Sequence, residues 1–288
     1  MEYRLVTQVK EDPALCRSFF DLAKRVFGLE FAPWYEAGWW SDRYLPYVVA
    51  DGDRVVANVS VNRMDFEVRG VRKQYVQLGT VMTDPAYRGR GLARRLLEGV
   101  IADVRGSGEG VYLFANKTVL DFYPKFGFFA RQQYGWELPL SPLGGDFQKL
   151  DLSAGPGREA LLCAYRCGAP FSAFSMVENE GLLFFYCGGP LADCVYCSPS
   201  LKVVCVAEQQ GGTLICHDIF GAPAGGLSQV LAALAAPGTA RAVLGFTPKE
   251  PLGRPFALPQ EDDMLFLLEG SEDLFAFEQR MFPLLSHA

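Results

Sequence analysis

The chain has 288 residues, of which 50% are hydrophobic and 21% are charged, and its formal net charge is −6. This composition is typical of a globular protein with one large or two medium-sized domains. The acidic balance, with no run of more than two lysines or arginines, argues against a nucleic-acid surface. No apolar stretch approaches the roughly 18 residues of a membrane span and the N-terminus lacks the apolar core of a signal peptide, so we expect a cytoplasmic protein without a membrane partner.

The cysteines are unevenly distributed along the chain. Seven of the eight fall between Cys163 and Cys216, which is unlike the framework of a secreted, disulfide-rich protein. Cys194 and Cys197 have a spacing that occurs in zinc sites, but residues three apart in a strand point to opposite faces and no further ligands follow at regular spacing. We therefore predict reduced thiols and no metal site.

Strand and helix patterns alternate through the first half. Asp12 and Pro13 predict the start of a helix, because they combine an N-cap with a preset φ, and Gly28 predicts its end. From Leu92 onward, apolar residues recur at helical spacing. We predict strands at residues 3–9, 47–51, 54–62, 66–70, 71–83, 110–116 and 128–138, and helices at residues 12–28, 92–104 and 116–127.

The second half reads as another α/β unit. We predict helices at residues 157–166 and 225–235, and strands at residues 200–209, 212–220, 241–248 and 263–270. The sequence as a whole predicts the α/β (α+β) class: a mixed twisted sheet with helices on both faces at residues 1–138, a Pro- and Gly-rich linker at 139–158, and a second, smaller α/β domain at 159–288.

Residues 87–97, YRGRGLARRLL, place two glycines among arginines at the start of a predicted helix. Gly89 and Gly91 allow close approach of the backbone to a ligand, and the first amides of a helix form a site for phosphate. Arg88, Arg90 and Arg94 add charge that suits a diphosphate. The stretch lacks the Gly-Lys-Ser/Thr ending of a P-loop and the third glycine of a dinucleotide fingerprint. A purely structural turn that caps a core helix is the alternative.

Two motifs in the first half of the chain resemble those of the GCN5-related N-acetyltransferases (GNAT). Residues 88–93, RGRGLA, resemble the Arg/Gln-x-x-Gly-x-Gly/Ala signature of that superfamily, and residues 116–128, NKTVLDFYPKFGF, are similar to its second signature. The resemblance covers most of residues 1–138. It implies the acyl-CoA N-acyltransferase fold and acetyl-CoA as the acetyl donor.

The resemblance also implies roles for individual residues. The strand before the loop would hold the pantetheine arm and the acyl carbonyl through Val81, Met82 and Thr83, and a main-chain N–H near Met82 would serve the developing oxyanion. Asn116 would contact the arm, and Tyr123 would stand near the sulfur and protonate the departing thiolate, with a core tyrosine as the alternative. The loop around the diphosphate would consist of Arg88, Gly89, Arg90, Gly91, Leu92, Ala93 and Arg94.

The second half has no Arg-x-x-Gly-x-Ala motif, and in this respect the chain resembles the enhanced-intracellular-survival acetyltransferases. In those enzymes a degenerate second GNAT-like domain follows the catalytic one, and the C-terminal carboxylate reaches the active site; their further sterol-carrier-like region has no room in 288 residues. The sequence here ends on Ser286, His287 and Ala288. We therefore hypothesise that the Ala288 carboxylate orients or deprotonates the amine. His287 as the base, or a frayed terminus without a role, are the alternatives.

The expected function is direct transfer of acetyl from acetyl-CoA to a primary amine of a small molecule. Asp42, Asp65 and Glu67 would add negative charge for a basic acceptor. The rivals are a catalytically silent coenzyme A-binding or regulatory protein and an acetyltransferase that acts on a protein lysine or N-terminus; a homo-oligomer is left open. An acceptor wall that attracts ammonium, or simply a cover for the core, would be formed by Trp34, Tyr35, Trp39, Trp40 and Tyr44.

Overall fold

The computed structural model describes residues 3–260 and 263–288. Within these residues the chain forms six α-helices and fifteen β-strands, so the mixed α/β class expected from the sequence is confirmed. The helices are Pro13–Phe27 (α1), Ala32–Glu36 (α2), Leu92–Val104 (α3), Gly155–Cys167 (α4), Glu180–Cys187 (α5) and Leu227–Leu234 (α6). The strands are Arg4–Val6 (β1), Tyr44–Asp51 (β2), Arg54–Val68 (β3), Val71–Thr83 (β4), Gly110–Ala115 (β5), Phe128–Arg131 (β6), Tyr134–Pro139 (β7), Gln148–Lys149 (β8), Phe174–Val177 (β9), Val195–Ser198 (β10), Val203–Gln210 (β11), Thr213–Gly221 (β12), Arg241–Leu244 (β13), Arg254–Ala257 (β14) and Met264–Leu268 (β15).

The first sheet has the strand order β1-β2-β3-β4-β5-β15-β6, and β9 pairs with one end of β3. Neighbouring strands are antiparallel except for β4 and β5, which are parallel. A parallel pair needs a crossover connection, and α3 supplies it. The ends of α1 follow the sequence prediction, because the Asp12 side chain accepts hydrogen bonds from two main-chain N–H groups and Gly28 adopts a left-handed φ of 71°.

The second sheet has the strand order β14-β7-β13-β12-β11-β10-β8. Here β12 and β13 form the parallel pair, with α6 between them in the chain. The β12–α6–β13 crossover therefore repeats, on a smaller scale, the β4–α3–β5 crossover of the first sheet. The connection before α6, at residues 222–226, contains no arginine. The second unit thus has the strand-helix-strand frame of the first without its charged loop.

Sheet membership does not follow the predicted boundaries at residues 138 and 159. β7 lies in the second sheet, whereas β15, near the end of the chain, lies between β5 and β6 of the first. The single strand predicted at residues 128–138 is divided into β6 and β7, and the predicted linker contains β8 and the start of α4. Hydrophobic periodicity shows which side chains are buried but not which sheet edge a strand joins, so it did not reveal this exchange.

The helix predicted at residues 116–127 is wrong. After β5 the chain makes turns, and only Tyr123–Phe126 form a short 3₁₀ helix. Two local features disfavour an α-helix here. Asn116 Oδ1 accepts hydrogen bonds from the main-chain N–H and the hydroxyl of Thr118, at 3.0 and 2.5 Å, and Pro124 has no N–H to donate.

Apolar clusters cover both faces of the first sheet. α3 packs on one face, and α1 with the aromatic segment after it packs on the other. Neighbouring residues of a strand point to opposite faces, so Val49 of β2 belongs to the cluster under α3 and Val48 to the cluster under α1. A further cluster joins the two units, in which Phe282 stacks on Tyr112 of β5 with ring centroids 4.0 Å apart. In the part of the chain that the structure describes, no helix has both the length and the apolar character needed to cross a bilayer.

Candidate active site

The candidate site begins where β4 and β5 separate. Their parallel pairing ends at Leu78 and Leu113, although β4 continues to Thr83. On its other side β4 carries a bulge, because its register with β3 shifts and Thr80 adopts a positive φ of 48°. A bulge bends a strand, and the bend opens a gap between β4 and β5 in which backbone groups of β4 have no strand partner.

The direction of the β4 amides at this gap follows from one hydrogen bond. Asp84 donates its main-chain N–H to Val56 of β3, at 2.9 Å. Successive amides of an extended strand point in opposite directions. The N–H groups of Val81 and Thr83 are therefore directed toward the gap, and that of Met82 toward β3. This alternation favours Val81 over Met82 as a donor to a ligand in the gap.

The loop between β4 and α3 requires its glycines. Gly89 and Gly91 have φ values of 75° and 74°, in the left-handed region that glycine adopts without strain. A Cβ at either position would meet no atom within 4 Å, so the requirement is conformational and not a matter of crowding. Gly91 is also the N-cap of α3, and no side chain caps the first amides of this helix. They remain available for an anion.

The corner between β4 and the loop is fixed by Asp84. Its buried carboxylate forms ion pairs with Arg54 at 2.7 Å and Arg25 at 3.0 Å, and accepts a hydrogen bond from the N–H of Ala86. Burial by itself would raise the pKa of Asp84, but the Arg54 guanidinium and the Ala86 N–H outweigh it and hold this pKa below its usual range. The carboxylate is therefore ionised and orients the loop.

The three loop arginines do not occupy equivalent places. Arg88 lines the gap. Arg90 instead donates to the hydroxyl of Tyr3, at 2.8 Å, and Arg94 lies 3.7 Å from the Glu98 carboxylate on the outer face of α3. Neither Arg90 nor Arg94 is among the described residues that line the gap. The expectation that all three arginines surround one ligand therefore finds geometric support only for Arg88.

A cleft of about 830 Å³ extends from the loop to the far end of the gap. This volume lies within the range of small-molecule and cofactor sites. The structure thus brings together most of the residues that the sequence analysis selected. Those that line the cleft are Val81, Met82, Thr83, Arg88, Gly89, Gly91, Leu92, Ala93, Asn116, Tyr123 and Ala288.

Tyr123 lies on the floor of the cleft and is only 4% exposed. Its ring contacts Phe128 and Phe266, and its hydroxyl makes no hydrogen bond to any residue that the structure describes. Burial raises the pKa of Tyr123 to about 12. The side chain is therefore a neutral phenol with a proton to donate.

The last residue of the sequence, Ala288, lies inside the cleft at the separation of β4 and β5. Gln77 donates its Nε2 hydrogen to the Ala288 main-chain oxygen at 3.0 Å, and its own Oε1 accepts from Tyr112, at 3.2 Å. A Cβ on Gly79 would lie 2.2 Å from the same Ala288 oxygen, so glycine is needed for this approach. Gln77 was not among the residues predicted from the sequence, although a buried glutamine in an apolar strand is a signal of a polar site.

A second, smaller pocket of about 140 Å³ adjoins this point. Trp34 forms part of its wall and donates its indole N–H to the main-chain oxygen of Gly181, at 2.7 Å, which ties the wall to the second unit. Trp34, Tyr44 and Trp40 all belong to one buried aromatic cluster, as the core-cover interpretation expects, and Trp34 and Tyr44 also line the pocket. The cleft and this aromatic pocket share four residues, Leu29, Thr80, His287 and Ala288.

A strip of buried polar side chains supports the aromatic pocket. Asn58, Ser60 and Asn62 alternate along β3 and therefore share one face. Ser60 donates to the Tyr44 hydroxyl, which lies 3.0 Å from the hydroxyl of Thr80, and Asn58 donates to the Thr80 carbonyl at 2.8 Å. The strip was also missed, although alternating polar residues inside an apolar strand mark it in the sequence.

An outer groove of about 930 Å³ continues from the aromatic pocket between the two units. Some of its charged side chains are paired: Asp65 binds Arg43 at 2.7 Å and Arg72 at 3.0 Å, and Arg72 also binds Glu178. Although Asp65 is buried, these arginines lower its pKa. Asp42 also lines this groove, whereas Glu67 lines a different one. The acidic wall expected for a basic acceptor is thus neutralised in part.

The cysteines lie apart from this site. All eight have free thiols, and Cys187, Cys205 and Cys216 are buried in the second unit. Burial raises the pKa of each of these three thiols. Over residues 3–260 and 263–288, no three histidine, cysteine or acidic side chains are grouped so that they could hold a metal ion.

Comparison with known proteins associates this geometry with a family. Residues 10–130 match the family model described as acetyltransferase (GNAT) domain. No curated protein matches the sequence. The matched segment contains α1, the β4–α3–β5 crossover and Tyr123, and so includes most of the lining of the cleft.

Solved structures with the same fold extend over both units. A probable N-acyltransferase from Enterococcus faecalis, described as a conserved protein of unknown function, is 14% identical with a TM-score of 0.59, over 93% of this chain and 72% of that one. A GCN5-related N-acetyltransferase from Kribbella flavida is 20% identical with a TM-score of 0.57, over 92% and 71%. Eis1 from Mycobacterium abscessus is 17% identical with a TM-score of 0.56, over 92% and 72%. At such identities the likeness concerns the fold alone.

Proposed function

We propose that the chain, whose residues 10–130 match the acetyltransferase (GNAT) domain model, transfers an acetyl group from acetyl-CoA to a primary amine of a small molecule. The observation that carries this proposal is the meeting of the cleft and the aromatic pocket at Thr80, His287 and Ala288. A donor in the cleft and an acceptor in the pocket would come into contact there.

The residues that line the cleft suit coenzyme A. The uncapped amides at the start of α3, together with Arg88, would bind the diphosphate, because they combine hydrogen-bond donors with positive charge. The main-chain groups of Val81 and Thr83 would hold the pantetheine arm in the gap, with Asn116 beside it. When bound, acetyl-CoA supplies a thioester, which is an activated acyl donor.

Two groups of the chain would act on the reacting atoms. The Val81 N–H would donate to the acyl oxygen as negative charge develops there, and a donor placed in this way stabilises the transition state more than the ground state. As the bond between nitrogen and the acyl carbon forms and the carbon–sulfur bond breaks, Tyr123 would give its proton to the departing thiolate and recover one from water. The pKa of Tyr123, about 12, keeps this proton on the oxygen until the thiolate forms.

The acceptor amine must lose its extra proton before it attacks, because only the neutral amine has a lone pair. A carboxylate at Ala288 would bind the amine in the aromatic pocket and accept the proton that the nitrogen loses. Trp34 and Tyr44 would surround it with aromatic faces, which attract ammonium groups.

The test combines calorimetry with acetyl-CoA and assays of thiol release over a panel of small amines and lysine peptides, on protein verified by mass to end at Ala288. We expect binding and amine-dependent release. Arg88→Ala should weaken binding roughly tenfold, since it removes a charge-assisted contact, and Arg90→Ala should change it little. Binding without release would favour the silent coenzyme-binding protein, and release only with peptides would favour a protein acetyltransferase. Absence of binding would refute the proposal.

A further inference from the structure

His287 lies between the two cavities in a fixed orientation. Its ring stacks on Phe114 with centroids 3.8 Å apart and planes inclined by 20°. Its main-chain oxygen accepts a hydrogen bond from the Tyr186 hydroxyl at 2.5 Å. The residue lines both the cleft and the aromatic pocket, next to Ala288. The imidazole is therefore held where donor and acceptor would meet.

One nitrogen of this ring has no partner. The ring hydrogen-bonds to the main chain of Phe282, while no group of the described residues hydrogen-bonds to the buried Nε2 atom. The nitrogen that bonds to Phe282 is thus Nδ1, which leaves Nε2 as a bare acceptor in the neutral ring. Burial lowers the pKa of His287 to about 4, so the ring stays neutral at ordinary pH.

A buried acceptor without a donor is costly, and such groups in folded proteins call for an explanation. Among the described residues the ring of Phe114, which stacks on the imidazole, offers an apolar face and no donor. The Nε2 atom is itself buried, so a small displacement of the ring would open it to the junction of the two cavities, where a ligand N–H would remove the cost. The proposed acceptor, a neutral primary amine, carries two N–H bonds and one lone pair.

We propose that Nε2 of His287 accepts a hydrogen bond from the incoming amine and, together with the Ala288 carboxylate, makes the site specific for primary amines. This inference rests on the proposed function. One N–H is directed to Nε2 and the other to the carboxylate, so the lone pair is left to face the acyl carbon. A secondary amine has one N–H and an alcohol has one O–H, and either would leave one of the two acceptors unpaired.

The first experiment compares two replacements of His287 in the full chain. His287→Phe keeps a flat ring against Phe114 but has no acceptor, whereas His287→Gln retains an acceptor oxygen near the Nε2 position. We expect kcat/KM for the best primary amine to fall roughly 10- to 100-fold in His287→Phe and to recover in part in His287→Gln. The dissociation constant for acetyl-CoA and the unfolding midpoint, measured in parallel, should stay close to those of the wild type.

The second readout of the same variants is selectivity. The wild type should prefer the primary amine over its N-methyl derivative, and His287→Phe should lose most of this preference because the second acceptor is absent. A purely structural role of His287 would lower activity toward both amines equally. Equal losses, or wild-type kcat/KM in His287→Phe, would overturn the inference.

A measurement on the unmodified protein removes the dependence on variant folding. The chain has only two histidines, His217 and His287. His217 Nε2 is already paired with Glu208 at 3.1 Å in the second unit, so it serves as an internal reference. In ¹⁵N-histidine-labelled protein with coenzyme A bound, the amine should shift the Nε2 resonance of His287 and leave that of His217 in place. No shift at a saturating amine concentration would refute the contact.

The outcomes separate this inference from the proposed function. If the wild type binds acetyl-CoA but acetylates no amine, the proposed function fails and the inference fails with it. If the wild type acetylates amines and the His287 variants behave like it, the inference alone fails and amine transfer stands.

Discussion

The environment of a single residue, Tyr123, determines how it could act in catalysis. From sequence alone its phenol has the ordinary pKa of about 10. In the structure it is buried against Phe128 and Phe266, and burial raises its pKa to about 12. A higher pKa makes the phenol a weaker acid, but it also keeps the group protonated throughout the range in which the protein would work.

Tyr123→Phe should lower kcat roughly 100-fold or more, because the variant lacks the proton for the thiolate, while the KM for acetyl-CoA stays similar. An acid is active below its pKa and loses activity as pH rises through it, so kcat of the wild type should not fall on account of Tyr123 between pH 7 and pH 10. Steady-state thiol release against pH measures both effects. Tyr196→Phe, in β10 of the second sheet, is the control and should resemble the wild type. A Tyr123→Phe enzyme with unchanged kcat would exclude the phenol as the acid.

At the scale of elements, the C-terminal segment connects the two parallel strand pairs. Near β13 its Leu284 donates a main-chain N–H to Gly245, at 2.8 Å, and a Cβ on Gly245 would lie 2.9 Å from the Leu284 side chain. Four residues later Ala288 lies against Gly79 of β4. The two crossovers have the same form, but Leu284 packs directly on Gly245 just after β13, whereas Ala288 and Gly79 of β4 line the open cleft.

Gly79→Ala should displace the terminal residue, because the added Cβ would lie 2.2 Å from the Ala288 oxygen. Gly79 does not have a positive φ, so alanine fits its backbone and the effect is steric. We expect kcat/KM for the amine to fall roughly 10- to 100-fold, as for a small misplacement of a reacting group. Gly99→Ala is the matched control: in the exposed interior of α3 the added methyl meets nothing, and the helix should gain about 0.5–1 kcal/mol. Equal activity of both variants would show that the position of Ala288 is not critical.

At the scale of the whole molecule, the two units share strands and a core. β15 completes the first sheet from the far end of the sequence, and β7 belongs to the second sheet although it directly follows β6. Phe282 packs on Tyr112 of the first sheet and Phe174 of β9 within one apolar cluster. Neither unit is therefore complete without residues from the other half of the chain.

We expect the full chain to unfold in a single cooperative transition, with coincident fluorescence and circular dichroism curves. A fragment of residues 1–133 should fail to fold, because without β15 the facing edges of β5 and β6 remain unpaired and expose apolar side chains. Co-expression with a fragment of residues 134–288 should restore a soluble complex. Two separate transitions, or a stable fragment of residues 1–133, would contradict this account.

The features that the sequence by itself determined are local in the chain. Backbone conformations and caps set by near neighbours determine the α/β class, the limits of α1, the glycines of the loop and the start of α3. Residues 87–97 contain both the loop glycines and the start of α3. The two GNAT-like motifs are local in the same way, and residues 10–130, which contain both, match the GNAT domain model. The tertiary structure alone decided the rest. Packing between distant segments decided which sheet β7 and β15 join, which arginine faces the cleft, and that Gln77 contacts Ala288, more than 200 residues away. Periodicity and spacing do not encode such packing.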